Sequence, residues 1–157
     1  MNKFTAILLS SIFFLFSEIE LQAQHLNTNK DGVAIEGYDP VSYVRENAAV
    51  KGSAKLAVRY KGTIYWFSSI NNKELFLASP EKYLPAYGGW CAFAMGDYGE
   101  KVEVDPKTFK IIDGKAYLFY NKFFTNTLLD WNKNEPKLKR QADTNWKKWE
   151  ANPNQKK

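Results

Sequence analysis

The sequence predicts an α+β fold, in which hairpins form a small antiparallel sheet and short helices and C-terminal helices pack on it. Three observations predict this class. Segments with the two-residue alternation of a half-buried strand stand on both sides of short turn signals. Segments with apolar residues three and four positions apart, typical of helices, lie between these hairpins and at the C-terminal end. No internal repeat or linker divides the chain, so one domain is expected.

The chain begins with a predicted signal peptide, residues 1–23. Lys3 supplies a positive start, residues 4–16 form an apolar run, and Ala23 is a small residue at a plausible cleavage position. The run is too short for a transmembrane helix, which needs about 20 apolar residues. We therefore expect the protein to be periplasmic or secreted after cleavage.

The rest of the chain is expected to comprise three parts. Residues 24–31 are polar and are expected to be a flexible N-terminal segment, residues 32–150 a single domain, and residues 151–157 a basic polar tail. The net charge is +5 at pH 7, and residues 132–157 hold eight Lys/Arg against three Asp/Glu. In an exported protein this charge does not indicate nucleic acid. It indicates a solvated basic face, or peripheral contact of the basic C-terminus with an anionic envelope surface.

The first half of the domain predicts one helix and one hairpin. A short extended stretch with Val33 and Ile35 comes first. Asp39 is expected to cap the following helix, with Pro40 in its first turn. Residues 55–67 alternate apolar and polar side chains around a Lys-Gly turn, which predicts a hairpin.

Two short helices are predicted after this hairpin. Asn71 and Glu74 have the spacing of a capping box, which predicts a helix that ends before Pro80. Ser79 is expected to cap a further turn of helix that Pro80 begins.

The second half predicts further strands and two C-terminal helices. Strands are expected at 101–104 and 109–112, with an Asp-Pro turn at 105–106 between them. The Asp113-Gly114 pair is a strong signal for a two-residue hairpin turn. The apolar faces predicted for the two helices consist of Phe123, Thr127, Leu128 and Trp131, and of Leu138, Ala142, Trp146 and Trp149.

Several motifs, taken in order, resemble the YHS domain, a module made of a hairpin and a helix. They read Tyr60-x-Gly62-x-x-Tyr65-x-Phe67, then Phe76, then Pro80-x-x-Tyr83, with an opening Asp-Pro-Val in residues 37–43. The chain is also similar to exported bacterial YHS-domain proteins through the segments 87–92, 105–121 and 142–146. The resemblance implies the α+β fold described above and no established reaction.

The metal-associated relatives of this domain imply three cysteine positions. Cysteine follows their Asp-Pro-Val, follows the last Phe of their hairpin, and recurs four residues later. The matching residues here are Ser42, Ser68 and Asn72. A structural zinc site needs about four ligands, mostly thiolate or imidazole. No structural zinc is therefore expected in this protein.

Cys91, the single cysteine, has three interpretations. If residues 90–95 form a helical turn, Cys91 and Met95 lie on one face, and this soft pair of ligands favours copper(I). Alternatively, Cys91 is a small packing residue and Met95 fills a gap in the core. Cys91 could also be a redox-active thiol.

No recognised catalytic arrangement is present in the sequence. His25, the single histidine, lies beside the predicted cleavage position, so a catalytic pair with Cys91 is not favoured. A ligand site is expected where the Asp-Pro-Val turn meets the Tyr-Gly-Gly-Trp-Cys turn. Its candidate residues are Tyr38, Asp39, Tyr87, Trp90 and Cys91.

Two functions follow from these observations. The first is an exported, non-catalytic binding module for a soft metal ion such as copper or for a small ligand. The alternative is a thiol-dependent redox protein or enzyme centred on Cys91. The cofactor, if there is one, is expected to be a copper ion bound by Cys91 and Met95.

Overall fold

The computed structural model of the protein describes residues 25–152. The predicted signal peptide at 1–23 and residues 153–157 of the expected basic tail lie outside the described residues. No helix within 25–152 is both long enough and apolar enough to cross a membrane.

The described chain consists of hairpins and short helices. The α-helices are α1 (Pro40–Glu46), α2 (Ile70–Ala78), α3 (Pro80–Tyr83), α4 (Ala92–Asp97), α5 (Thr127–Lys133) and α6 (Glu135–Ala151). The strands are β1 (Ser53–Tyr60), β2 (Thr63–Phe67), β3 (Asp105–Ile112), β4 (Lys115–Phe119), β5 (Asn121–Lys122) and β6 (Thr125–Asn126). Two short 3₁₀ segments, Ile35–Gly37 and Ala86–Gly89, precede α1 and α4.

The strands pair as three antiparallel hairpins, β1–β2, β3–β4 and β5–β6. Each hairpin is a separate two-stranded sheet. The predicted α+β class is confirmed, although the hairpins do not join into one small sheet. Helices and loops cover the faces of the separate hairpins instead.

Two of the hairpins turn at a residue pair that ends in glycine. Lys61 and Gly62 have φ values of 47° and 80°, and Asp113 and Gly114 have 51° and 73°. Two successive left-handed residues are what a type I′ turn requires, and the twist of this turn matches that of paired strands. Both predicted hairpins are confirmed at these turns.

Capping residues determine where the first helices begin. Asp39 caps α1 and Pro40 is its first residue, as predicted. For α2 the predicted cap at Asn71 is wrong. Ser69, which is extended, caps this helix by accepting a hydrogen bond of 3.1 Å from the backbone N–H of Asn72. Asn71 has helical neighbours on both sides and is already inside α2.

Two predictions for the second half are wrong. Residues 101–104 form no strand, and β3 begins at Asp105, where a turn is predicted. Phe123 does not lie on a helix. It lies in the turn of the β5–β6 hairpin and is 95% exposed. The helix begins only at Thr127, because Asn126 caps it through its side chain.

Two buried clusters form the core, and α4 lies between them. The first cluster packs α1, α2 and the β1–β2 hairpin, and it includes Cys91 and Leu118. The second packs α4 against α5 and α6, and it includes Met95, Trp131 and Leu138. These contacts join the N-terminal and C-terminal halves of the described chain.

The start of the described chain is packed on the domain. His25 and Asn27 are only 6% and 9% exposed. Asn27 donates hydrogen bonds from its backbone to Gly88 and from its side chain to Gly89, at 2.8 and 3.1 Å. The indole N–H of Trp90 donates to the carbonyl of His25 at 2.6 Å. Residues 25–27 are therefore packed on the domain, while residues 29–31 are exposed, and the expected flexibility of residues 24–31 as a whole stays a prediction.

Candidate functional site

The carboxylate of Asp39 is fully buried and accepts four hydrogen bonds. Oδ1 accepts from the backbone of Val41 at 2.8 Å. Oδ2 accepts from the backbone and hydroxyl of Ser68 at 2.8 and 2.6 Å, and from Nδ2 of Asn72 at 2.8 Å. The N-terminal ends of α1 and α2 add favourable dipoles. Together these donors replace the water that a buried carboxylate loses.

The three positions that hold cysteine in metal-associated relatives meet around this carboxylate. Ser68 and Asn72 donate to it directly. Ser42 donates its hydroxyl to the backbone carbonyl of Asp39 at 2.8 Å and accepts from the backbone of Val50 at 3.3 Å. Neutral hydroxyl and amide groups are poor zinc ligands but good donors to a carboxylate. At this position the chain therefore has a hydrogen-bond network, defined here as the Asp39 network.

A conventional metal-ligand cluster is absent from the part of the chain that the structure describes. Within residues 25–152, no three His, Cys, Asp or Glu side chains are grouped so that they could hold an ion. The expectation that folding needs no zinc stays a prediction.

Cys91 is fully buried and has polar neighbours of its own. It precedes α4 as the cap residue, so the helix begins at Ala92, two residues later than the turn over residues 90–95 that the copper interpretation assumes. Its Sγ lies 3.4 Å from Oγ1 of Thr127 and accepts a hydrogen bond of 3.4 Å from the backbone of Tyr120. Its own backbone N–H donates to Val102 at 3.0 Å. These contacts favour the packing interpretation of Cys91.

Met95 is also fully buried, but it belongs to the other core cluster. Its neighbours there include Phe119 and Trp131, whereas Cys91 packs in the cluster around Val41. The structure gives no support for a pair of sulfur ligands. Copper binding by Cys91 and Met95 stays an untested prediction.

The other candidate residues do not share one cleft. Tyr38 is half-buried, and the ammonium of Lys51 lies 4.7 Å above its ring. Trp90 is buried and bonded to the start of the described chain. Of the five predicted ligand residues, Tyr87 alone lines the large groove described next.

A groove of about 840 Å³ lies between the β1–β2 hairpin, α3 and the C-terminal helix α6. Its volume falls in the range of roughly 300–1,000 Å³ that is typical of small-molecule sites. The aromatic residues that line it are Tyr60, Tyr65, Tyr87, Tyr117 and Trp146. The charged residues that line it are Lys61, Glu81, Lys115, Asp143 and Glu150.

Some of the unusual backbone conformations lie at this groove. Among the described residues, seven other than glycine have positive φ. Hairpin turns and a helix end account for four of them, namely Asn47, Lys61, Asp113 and Phe123. The other three are Glu36 and two groove residues, Ile35 and Tyr87, both with a φ of 52°. This conformation is particularly unfavourable for a β-branched residue. Strain held in place by its surroundings is a feature of functional sites.

The tyrosine hydroxyls of the groove remain protonated at neutral pH. Burial raises the pKa of Tyr65, Tyr87 and Tyr117 above the ordinary value of about 10. For Tyr87, the hydrogen bond of 2.8 Å that it donates to Asp143 raises the pKa further. These buried phenols therefore stay neutral and cannot act as bases near pH 7.

One end of the groove carries a partly exposed ion pair. Nζ of Lys61 lies 2.6 Å from Oε1 of Glu81, and the hydroxyl of Tyr60 donates to the same oxygen at 2.8 Å. The bond to Lys61 lowers the pKa of Glu81, and the bond to Glu81 raises the pKa of Tyr60. Nζ of Lys115 is near this carboxylate and lies 3.3 Å from the carbonyl of Leu84. This end is thus more positive than negative.

His25 also lines the groove. Its Nδ1 is 2.7 Å from Nζ of Lys101, while its Nε2 has no hydrogen-bond partner among the described residues. Burial, followed by the positive charge of Lys101, lowers the pKa of His25, so the ring is neutral at pH 7. Because the ammonium donates to Nδ1, the ring proton is on Nε2. A buried donor of this kind can be satisfied by an acceptor on a ligand.

Comparison with protein families identifies the part of the chain that forms the Asp39 network and one wall of the groove. The family model of the YHS domain matches residues 41–87. The chain contains a YHS domain. It comprises α1, the β1–β2 hairpin, α2 and α3, and it ends at the groove residue Tyr87. Searches of curated proteins and of solved structures found no significant match.

The YHS domain supplies only one wall of the groove. Tyr60, Tyr65 and Tyr87 belong to it, whereas Tyr117 and Trp146 come from the part of the chain that follows it. The sequence pattern at Tyr60 and Tyr65 indicates a hairpin. It does not indicate which residues form the opposite wall of the groove. The second wall forms when β4 and α6 pack against the YHS domain, and no local pattern predicts that contact.

The burial of Cys91 leads to a prediction about its reactivity. A thiol reagent such as DTNB should modify native Cys91 at least about a hundredfold more slowly than the added thiol of an Ala78→Cys variant. Residue 78 is exposed at the end of α2, whereas Cys91 becomes accessible only when the structure opens. Denaturant should make both thiols react at similar rates. Native Cys91 reacting as fast as residue 78 would contradict the packing interpretation.

Proposed function

We propose that the protein is a non-catalytic binding module that holds a small organic ligand in the groove beside Tyr87. The groove itself is the observation that carries this proposal. Its volume suits a small molecule, its walls are aromatic, and two residues in left-handed backbone conformations, Ile35 and Tyr87, shape it. The protonated phenols and the ion pair favour binding over proton transfer or nucleophilic attack.

The lining residues favour a planar ligand with a hydrogen-bond acceptor. The ring of Tyr87 meets those of Tyr117 and Trp146 edge to face, with centroids 5.6 and 6.5 Å apart. Of these three rings, Trp146 is half-buried, and its exposed part gives a planar group a surface on which to stack. The Nε2–H of His25, which has no partner among residues 25–152, favours a hydrogen-bond acceptor. Lys61 and Lys115 favour negative charge at their end of the groove, whereas Asp143 and Glu150 make the rest of the lining acidic. We therefore propose an aromatic or similarly planar anion as the ligand class.

The copper and thiol functions have no comparable support. A copper site would need two accessible sulfur ligands, whereas Cys91 and Met95 are both fully buried and Sγ of Cys91 contacts Thr127 and the backbone of Tyr120. A redox function would need an accessible thiolate, and Cys91 is fully buried.

Ligand binding can be tested with 8-anilino-1-naphthalenesulfonate, a planar aromatic anion that fluoresces when bound to a protein. The native protein should bind it saturably, and Trp146→Ala should weaken binding by at least about tenfold, because a wall of the groove is lost. Tyr98→Ala is the matched control, since Tyr98 is an aromatic residue that is 64% exposed and does not line the groove.

Thermal unfolding of each variant should be measured first, so that the comparison is restricted to folded protein. Equal affinity of wild type and Trp146→Ala would contradict the proposed site. Equal weakening by both substitutions would contradict it as well.

Export is the second part of the proposal, and it rests on the apolar run at 4–16 and on Ala23. The mature protein is then expected to begin at Gln24. Intact-mass measurement of protein from its own cells should show the loss of residues 1–23. A mass that still includes these residues would contradict cleavage.

A further inference from the structure

We propose that the tip of the β5–β6 hairpin inserts into the surface of an anionic lipid bilayer. The tip consists of Phe123 and Phe124, which are 95% and 107% exposed. Neither ring packs against the rest of the described chain to any appreciable extent. Two adjacent aromatic side chains at the end of a two-residue hairpin leave a large apolar area in water, and such areas mark contacts with other molecules or with membranes.

The turn itself gives no reason for phenylalanine. The other two hairpins turn at Lys61-Gly62 and Asp113-Gly114, as their left-handed backbone favours. In the third hairpin Phe123 has a φ of 55°, a conformation that favours Gly, Asn or Asp. Phe123 thus exposes an apolar ring to water and also adopts a left-handed backbone conformation that its side chain disfavours. A residue that breaks two local rules is best explained by a contact outside the chain.

The base of the hairpin is held firmly, so the tip is presented in a fixed direction. Nδ2 of Asn121 donates to Oγ1 of Thr108 at 2.9 Å. The backbone N–H and the hydroxyl of Thr127 both donate to the carbonyl of Tyr120 at 3.0 Å. A rigid base lowers the entropy that the tip would lose on insertion.

The charges around the tip are suited to anionic headgroups. Lys122 is exposed next to the two phenylalanines, and residues 121–126 contain no acidic side chain. Asp130, the next acid along the chain, is paired with Lys133 at 2.6 Å. Asp105 lies at the base of the hairpin, where it accepts hydrogen bonds from Thr108 and from the backbone of Lys107. Leu129, in the helix that follows, adds an apolar side chain that is 62% exposed. Anionic lipids attract Lys residues near the surface, while aromatic side chains enter the boundary between headgroups and acyl chains.

A fluid bilayer fits this shape better than a protein partner does. A protein would need a cavity shaped for two rings side by side, whereas the boundary of a bilayer closes around any small apolar projection. The proposal is independent of the ligand groove, whose lining includes neither phenylalanine.

The test places an environment-sensitive NBD fluorophore beside the tip of the full chain, through Thr125→Cys. Cys91 is buried and should not react with the label under native conditions. A second label site, Ala78→Cys, reports an exposed position on α2. The probes are vesicles of equal parts phosphatidylglycerol and phosphatidylcholine, and vesicles of phosphatidylcholine alone. A position-specific signal distinguishes insertion of the tip from attachment through either end of the chain.

The label at residue 125 should shift to the blue with anionic vesicles and be quenched by spin-labelled lipid, and the label at residue 78 should not. Phe123→Ser with Phe124→Ser should weaken this response by at least about tenfold. The matched control, Ile70→Ser with Leu77→Ser, removes two other exposed apolar residues and should leave the response unchanged.

Three outcomes would overturn the proposal. They are equal shifts at both label sites, a shift that survives the phenylalanine substitutions, and no shift at residue 125 with anionic vesicles. Self-association that depends on the two phenylalanines, without any shift on vesicles, would show that a second copy of the chain is the partner instead.

Discussion

The buried carboxylate of Asp39 is the constraint on which the rest of the structure depends. It accepts hydrogen bonds from α1 and, about thirty residues later in the chain, from the end of β2 and from α2. Because an unpaired buried charge is very unfavourable, all three elements must be in place together. The Asp39 network therefore sets the relative positions and orientations of these elements of the YHS domain. Hydrogen bonds are directional, and apolar packing is not.

The second half of the chain is positioned from this fixed module. Tyr43 in α1 donates its hydroxyl to the carbonyl of Pro106 at 2.7 Å, which attaches the β3–β4 hairpin. Cys91, Ala116 and Leu118 complete the core cluster that the YHS domain begins. The groove forms at this junction. Its volume and its aromatic walls thus result from the way two halves pack, which explains why a family match to residues 41–87 alone does not identify its ligand.

Local signals predicted the parts of the fold that depend on neighbouring residues. The cap at Asp39 and the turns at Lys61-Gly62 and Asp113-Gly114 were predictable because each needs a particular residue type at one position. The packing of His25 and Asn27 was not predictable, because it depends on donors and acceptors more than sixty residues away. For the site, Tyr87 was predictable from its glycine-rich surroundings, whereas the opposite wall of the groove depends on tertiary packing.

The unfolding free energy of Asp39→Asn tests the central claim most directly. Asn has the same shape as Asp, but an NH2 group takes the place of one carboxylate oxygen. This group cannot accept the hydrogen bonds that the neighbouring N–H and O–H groups donate to Asp39. Urea denaturation should show a loss of about 2–4 kcal/mol relative to wild type. Asp113→Asn, at an exposed turn position that tolerates Asn, should change stability by less than about 0.5 kcal/mol. If both variants are as stable as the wild type, Asp39 does not hold the domain together.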